Sequence, residues 1–156
     1  MKAVIRHHRL YFATGLILST ALVALAAEPE PADIVKYRRS VMKSQREHMD
    51  AAMAIIQGKV DYKEQLANHI RSLEATTGDI AGLFPEDTEV GDTRALGAVW
   101  TNNAEFQKRS KDAQLKSAAL AKTFAAGDTQ NYSRRLNDLL DSCKSCHKDF
   151  RKQEAK

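Results

Sequence analysis

Cys143-Lys144-Ser145-Cys146-His147, near the end of the 156-residue chain, has the spacing Cys-x-x-Cys-His. This spacing is the attachment signature of c-type haem, whose vinyl groups each take up one cysteine thiol. On a helix, residues three and four positions apart share one face, so two thiols and an imidazole can meet one porphyrin together. The motif therefore predicts one haem c per chain, with its iron, bound covalently through Cys143 and Cys146. His147 is the expected proximal ligand of the iron.

Other uses of this cysteine pair fit the sequence less well. A structural zinc site takes four ligands, and the chain has only two cysteines. A thioredoxin-like redox pair would follow a strand and begin a helix, whereas this motif lies late in a helical pattern. A disulfide would not need the histidine, and residues three apart on a helix have poor geometry for one.

The N-terminal segment has the order of features of a secretory leader. Basic residues within positions 1–9 precede an apolar run over 10–25, and Ala24-Leu25-Ala26 has the small-x-small pattern of a cleavage site. We expect a signal peptide over residues 1–26, a single domain over 27–156 and a periplasmic location. A membrane anchor is the alternative, so membrane association is expected only if the leader is not cleaved.

The charge balance argues against a nucleic-acid partner. The whole chain has 24 basic and 20 acidic residues, a formal net charge of +4. Lys2, Arg6 and Arg9 would leave with the leader, so the mature chain would carry 21 basic residues and a net charge of +1. A nearly neutral domain lacks the basic surface that nucleic-acid binding requires. The expected partners are redox proteins.

Apolar residues recur at steps of three and four in four segments, which predicts helices over about 33–57, 61–84, 99–125 and 129–152. Asp61 and Glu64 resemble a capping box at the start of the second helix. The segment 85–97 is expected to be one long loop. Four helices with mostly short links predict an all-α, antiparallel up-down-up-down bundle.

This topology places Met42 opposite His147. Counted from the end that the first and last helices share, His147 lies roughly 8 Å and Met42 roughly 14 Å along the bundle axis. Met42 is therefore the predicted second iron ligand, with simple core packing as its alternative. Met49 and Met53 lie roughly 24–30 Å along the first helix and are expected to be core residues.

Further residues have weaker assignments from their positions. Arg38 lies one turn before Met42 and could pair with a haem propionate. Trp100 begins the third helix at the haem end and is expected to form a wall of the pocket. His48 and His69 are expected to lie on the surface. Because no distal histidine accompanies an arginine at the haem end, a peroxidase-type enzyme is disfavoured.

The chain resembles the class II cytochromes c, the group that includes cytochrome c prime. Three segments carry this resemblance: residues 35–43, Val99-Trp100 with Phe106, and the C-terminal motif with Phe150-Arg151. The resemblance covers about residues 33–152. It implies a periplasmic four-helix bundle with one haem c, often a homodimer. The C-terminal position of the haem motif is itself distinctive, since most other c-type cytochromes carry it near the N-terminus.

The resemblance implies one of two functions. Low-spin members bind iron through a distal methionine and transfer electrons, whereas high-spin members leave the sixth position open and bind nitric oxide or carbon monoxide. Val41-Met42-Lys43 resembles the low-spin branch, although some high-spin members have a methionine there without ligating it. We therefore predict an electron carrier and not an enzyme, with His147 and Met42 as axial ligands. The alternative is a high-spin, five-coordinate cytochrome that binds these gases.

Overall fold

The computed structural model describes residues 28–153. Its five helices are α1 (Pro31–Ile56), α2 (Lys63–Thr77), α3 (Ala98–Thr101), α4 (Asn103–Ala125) and α5 (Tyr132–Phe150). Within 28–153, the only pairing of β type is an isolated bridge between Ala95 and Arg151. The predicted signal peptide, residues 1–26, lies outside the described residues and stays a prediction. In the described part of the chain, no helix is long and apolar enough to cross a membrane.

The four long helices form a closed ring of neighbours. Helix α1 packs on α2, α2 on α4, α4 on α5, and α5 packs less closely back on α1. The predicted all-α four-helix bundle is confirmed. The separation between α1 and α5 matters for function, because it leaves room for the cavity described below.

The predicted third helix is interrupted. Residues 99–125 were expected to form one helix, but α3 ends at Thr101 and α4 begins at Asn103. Asn102 between them has φ −119° and ψ 47°, outside the helical region. Asparagine loses helix propensity because its side chain competes for backbone hydrogen bonds. The break lies shortly before Phe106, the first α4 residue that lines the cavity described below.

The predicted bounds of the second helix were also wrong. The capping box is absent, because no side chain caps the start of α2 and Asp61 instead pairs with Lys63 at 3.4 Å. The helix ends at Thr77 and not near residue 83. Gly78 follows, and the Asp79 carboxylate accepts a hydrogen bond from the Gly82 backbone N–H at 3.0 Å. That side-chain contact favours the short 3-10 turn Ala81–Leu83 over a continued α-helix.

Two apolar clusters fill the bundle. One includes Met49, with Met53 packed at its edge, so both methionines contribute to the core as predicted. The other surrounds Phe106, whose ring makes edge-to-face contacts with Phe84 at 5.0 Å and Phe150 at 5.3 Å between centroids. This second cluster lies at the C-terminal end of α5. Cys146 packs against this cluster and Cys143 packs against the first, so the cysteine motif lies where the two parts of the core meet.

The long loop before α3 is fixed to the C-terminus. The Leu96 backbone N–H donates to the Phe150 carbonyl at 3.0 Å, and the Lys152 N–H donates to the Arg94 carbonyl at 2.8 Å. Since buried backbone groups need partners, these bonds hold the loop against the end of α5. The loop thereby closes one end of the α1–α5 gap.

Candidate cofactor site

The three residues of the cysteine motif line one cavity. Cys143, Cys146 and His147 lie in α5, are each half-buried, and face a cavity of about 1030 Å³. Helical spacing brings them to one side of α5 because residues three and four apart share a face. Both thiols are free and do not bond each other. A volume at the upper end of the usual ~300–1,000 Å³ for ligand pockets leaves room for a large cofactor.

The surroundings of the motif keep its side chains neutral. Burial lowers the pKa of His147 to about 4, with further contributions from Arg151 and Arg94. The imidazole is therefore uncharged at neutral pH, which is the form that ligates a metal. Burial, followed by the nearby Cys143, raises the pKa of Cys146 to about 11. Burial likewise raises the pKa of Cys143.

Helix α1 forms the opposing wall. Val35, Met42 and Met49 all line the cavity, and Met42 is half-buried. Met42 packs against the Phe106 cluster, which Cys146 also contacts. The structure thus brings Met42 and His147 to the same cavity, as the sequence predicts. Ligation of iron by the Met42 sulfur stays a prediction.

Arg38 also lines the cavity, but it is buried and not solvated, with only 3% of its surface exposed. Its guanidinium donates to Thr88 Oγ1 and the Thr88 carbonyl, both at 2.7 Å, and to Thr93 Oγ1 at 2.5 Å. It also lies 4.8 Å from the Phe84 ring centroid. Among residues 28–153 it has no ion pair, and burial lowers its pKa. A buried cation without an anion is costly, so this position favours a negatively charged ligand group.

Trp100 is not where it was expected to be. It does not line the cavity, and Phe84 forms the wall at this point instead. The Trp100 ring packs edge-on against Phe84 and lies 5.8 Å from the Arg38 guanidinium carbon. Its indole N–H donates to the Pro85 carbonyl at 3.0 Å. Trp100 therefore packs against Phe84 and Arg38 without lining the cavity. The path of the loop at residue 85 holds its indole outside the cavity.

Arg109 is a site residue that the sequence did not reveal. It lies in a basic stretch of α4, which from the sequence is expected to face solvent, but its side chain lines the cavity. Its guanidinium donates to Glu105 Oε1 at 2.6 Å, contacts Ser145 Oγ, and lies 3.6 Å from an Asp149 oxygen. These contacts fix α4 to the residues around the cysteine motif. Of these contacts, the sequence indicates only the Glu105–Arg109 pair, because residues four apart on a helix can form an ion pair.

The donor set fits haem c. Two free thiols and a neutral imidazole share one cavity wall, and an opposing apolar wall carries a buried arginine without an anionic partner. The rim is rich in positive charge, with Lys36, Arg39, Lys43, Arg46, Arg94, Lys144 and Arg151 against Asp50 and Asp92. Such a cavity suits a flat apolar ring that carries two carboxylates.

Comparison with known proteins identifies the family. The sequence profile of the cytochrome c′ family matches residues 33–151. The chain belongs to the cytochrome c′ family. It is 33% identical over 135 residues to cytochrome c′ from Rhodospirillum rubrum, covering 86% of this chain and 90% of that one. It is 32% identical over 122 residues to cytochrome c′ from Pararhodospirillum photometricum, covering 78% and 98%. The resemblance to class II cytochromes c is confirmed.

Solved structures agree with this membership. A variant of cytochrome c prime from Alcaligenes xylosoxidans, determined as its nitric oxide complex, matches with a TM-score of 0.74 at 26% identity, covering 82% of this chain and all of that one. Cytochrome c prime from Shewanella frigidimarina matches with a TM-score of 0.74 at 25% identity, covering 81% and 100%. Members of the cytochrome c′ family bind haem c, the cofactor that the donor set of this cavity fits.

Proposed function

We propose that this protein binds nitric oxide or carbon monoxide at the iron position not taken by His147. This is the alternative of the two functions predicted from the sequence. The observation that carries it is the match to the cytochrome c′ family. His147 is the one histidine among the described residues that line the cavity, so no second imidazole would occupy the other side of the iron. A protein similar in fold is known as a nitric oxide complex, which supports gas binding in this fold.

Different residues of the cavity would bind different parts of the cofactor. We propose that Cys143 and Cys146 each form one thioether bond, that His147 ligates the iron, and that Arg38 pairs with a propionate. When bound, haem supplies an iron that can coordinate a neutral diatomic molecule. Val35, Met42 and Phe106 contribute apolar surface to the same cavity, which favours small uncharged ligands over ions because ions would lose their hydration there.

Electron transfer is the second candidate, and one observation favours it. Met42 reaches the same cavity as His147 and packs near Cys146. A thioether bound to iron would close the sixth position and raise the reduction potential above that of a bis-histidine haem. We place this candidate second because the relatives are cytochromes c′, and one similar structure is a nitric oxide complex. Either candidate is a binding or redox function, and we propose no enzymatic reaction.

Replacing Met42 by alanine separates the two candidates. If Met42 only packs in the cavity, Met42→Ala leaves the spin state unchanged and speeds carbon monoxide binding to the reduced protein, because a bulky side chain has been removed. If Met42 ligates iron, the same change converts a low-spin spectrum into a high-spin one. Absorbance and rapid-mixing kinetics report both properties. Met53→Ala is the matched control, since Met53 lies on the same helix but outside the cavity.

We further propose a periplasmic protein that is exported by the predicted leader. The chemistry supports this location, since c-type haem is attached outside the cytoplasm. Redox proteins remain the predicted partners, and a homodimer remains a predicted assembly. Fractionation of cells expressing the full chain should recover the haem protein in the periplasm. Recovery with the membrane would instead indicate that the leader acts as an anchor.

A further inference from the structure

Four basic side chains form a stripe along α1 at the edge of the cavity. Lys36, Arg39, Lys43 and Arg46 are all exposed, and all line the cavity. Their successive spacings of three, four and three residues place them on one face of the helix, over a length of roughly 15 Å. Like charges at such spacings destabilise a helix slightly. The stability of α1 therefore does not explain the stripe.

Neighbouring acidic residues neutralise only part of this charge. Within residues 28–153, the ion pairs of the stripe are those of Arg39 with Asp92 and of Arg46 with Asp50, the latter at 3.6 Å. The two lysines of the stripe have no acidic partner in this part of the chain. Their ammonium groups can therefore meet carboxylates of another molecule without first breaking an ion pair.

Positive charge also borders the opposite side of the cavity. Lys144 of α5 is exposed, and the half-buried Arg94 and Arg151 line the same cavity. Because α1 and α5 flank the cavity, basic groups lie on both sides of its opening. These three residues, the four of the stripe, Asp50 and Asp92 are called the cavity mouth below. Its seven basic and two acidic side chains have a formal net charge of +5.

The charge of residues 27–156 is unevenly distributed. They include 21 basic and 20 acidic residues, so 14 basic and 18 acidic residues lie outside the cavity mouth, a formal net charge of −4. Two haem propionates would lower the charge of the mouth to +3 without reversing its sign. A field with its positive end at the cavity steers acidic molecules toward this face. The nearly neutral total conceals this asymmetry, because the sequence alone does not show which charges the fold brings together.

We propose that the cavity mouth is the docking surface for an acidic protein that delivers single electrons to the haem. The inference rests on the proposed binding of haem in this cavity, and it adds the chemistry of the partner and the face on which the partner binds. The partner loses one electron, and the ferric iron gains it and becomes ferrous. A partner seated on the mouth would lie directly over the opening of the cofactor cavity. Because the reduced protein is the form that takes up carbon monoxide, docking would serve the proposed gas binding as well as electron transfer.

The composition of the cavity mouth favours an acidic protein over an anionic membrane surface. Helices that bind at a membrane surface combine basic residues with large apolar side chains that enter the lipid. Of the five large apolar side chains that are exposed within residues 28–153, only Val90 lines the cavity. Complexes between electron carriers are small and transient, and complementary charge mainly speeds their formation. A charged mouth with little exposed apolar surface suits such a complex.

The first test measures how fast reduced plant-type ferredoxin, an acidic one-electron carrier with a potential of about −400 mV, reduces the oxidised haem protein. The second-order rate constant from rapid mixing should fall about tenfold or more between 0.01 M and 1 M salt, because the Debye length shrinks from about 30 Å to about 3 Å. At low salt, Lys36→Glu combined with Lys43→Glu should slow the reaction about tenfold or more. Lys59→Glu combined with Lys122→Glu is the matched control, since both lysines are exposed, neither lines the cavity, and the net charge changes equally. The control pair should slow the reaction far less.

Cross-linking locates the partner and keeps the proposal testable if a variant fails to fold. Carbodiimide treatment of the unsubstituted protein with oxidised ferredoxin at low salt should join ferredoxin carboxylates to Lys36 and Lys43, which mass spectrometry of the peptides would detect. A rate constant that does not change with salt, equal slowing by the two variant pairs, or cross-links confined to Lys59 and Lys122 would overturn the proposal. Binding to phosphatidylglycerol vesicles with none to ferredoxin would also overturn it, since the mouth would then be a membrane contact. Carbon monoxide uptake by the reduced protein involves no partner, so failure of that uptake would contradict gas binding and leave the docking surface standing.

Discussion

Replacing Arg38 should destabilise the protein far more than replacing its neighbour Arg39. Arg38 donates three hydrogen bonds to Thr88 and Thr93, and its guanidinium faces Phe84 at 4.8 Å. Hydrogen bonds to charged groups each contribute about 1.5–3 kcal/mol, and a cation–π contact about 0.5–2 kcal/mol. Desolvation of the buried guanidinium offsets several kcal/mol of this sum. We expect Arg38→Met to cost about 2–4 kcal/mol, because it also leaves the Thr88 carbonyl without its donor.

Arg39→Met is the matched control for this change. Arg39 pairs with Asp92 across the cavity mouth, but the two side chains are 48% and 82% exposed. An exposed ion pair contributes about 0–1 kcal/mol. Urea unfolding of the haem-loaded variants, followed by circular dichroism, measures both losses if the slopes stay equal. Equal losses for Arg38→Met and Arg39→Met would refute the argument that the buried guanidinium fastens the long loop to α1.

Two further predictions concern the cysteine motif and the α4–α5 contact. Cys143→Ser should keep haem on the polypeptide through Cys146 after acid–acetone extraction, whereas replacing both cysteines should release it; free haem from the native protein would contradict covalent attachment. The hydrogen bond from Arg109 lowers the pKa of Glu105 below its ordinary 4.5. The stabilisation that this bond gives the folded protein is therefore present above pH 4.5 and is lost as the pH falls through the lowered pKa. The urea midpoints of native protein and Glu105→Gln should therefore differ at pH 6 and converge in acid, and a constant difference would contradict this assignment.

The sequence predicted the features that depend on nearby residues. Helical periodicity located four helical segments, and the spacing of Cys143, Cys146 and His147 placed them on one face. The rise per residue also placed Met42 near His147, and both line the cavity. Local pattern and regular geometry were sufficient in these cases, because a helix repeats the same relation between residues along its length.

The features that were missed depend on the path of an irregular loop. The partners of Arg38 lie 50 and 55 residues away, in a segment without periodicity. The same loop places Phe84 in the cavity wall and Trp100 behind it. His48 in α1 and His69 in α2 also meet, with their Nδ1 atoms 3.0 Å apart. This contact depends on how the two helices are rotated against each other, which the apolar pattern of one helix does not determine. Each of these required the tertiary arrangement.

The spin state of the native haem protein tests the central proposal most directly. Absorption and electron paramagnetic resonance spectra of the oxidised protein, with carbon monoxide then added to the reduced protein, report whether the sixth position of the iron is open. The proposed gas-binding function predicts a high-spin, five-coordinate iron that takes up one carbon monoxide per haem. A low-spin iron in both oxidation states that resists carbon monoxide would contradict it and would favour ligation by Met42.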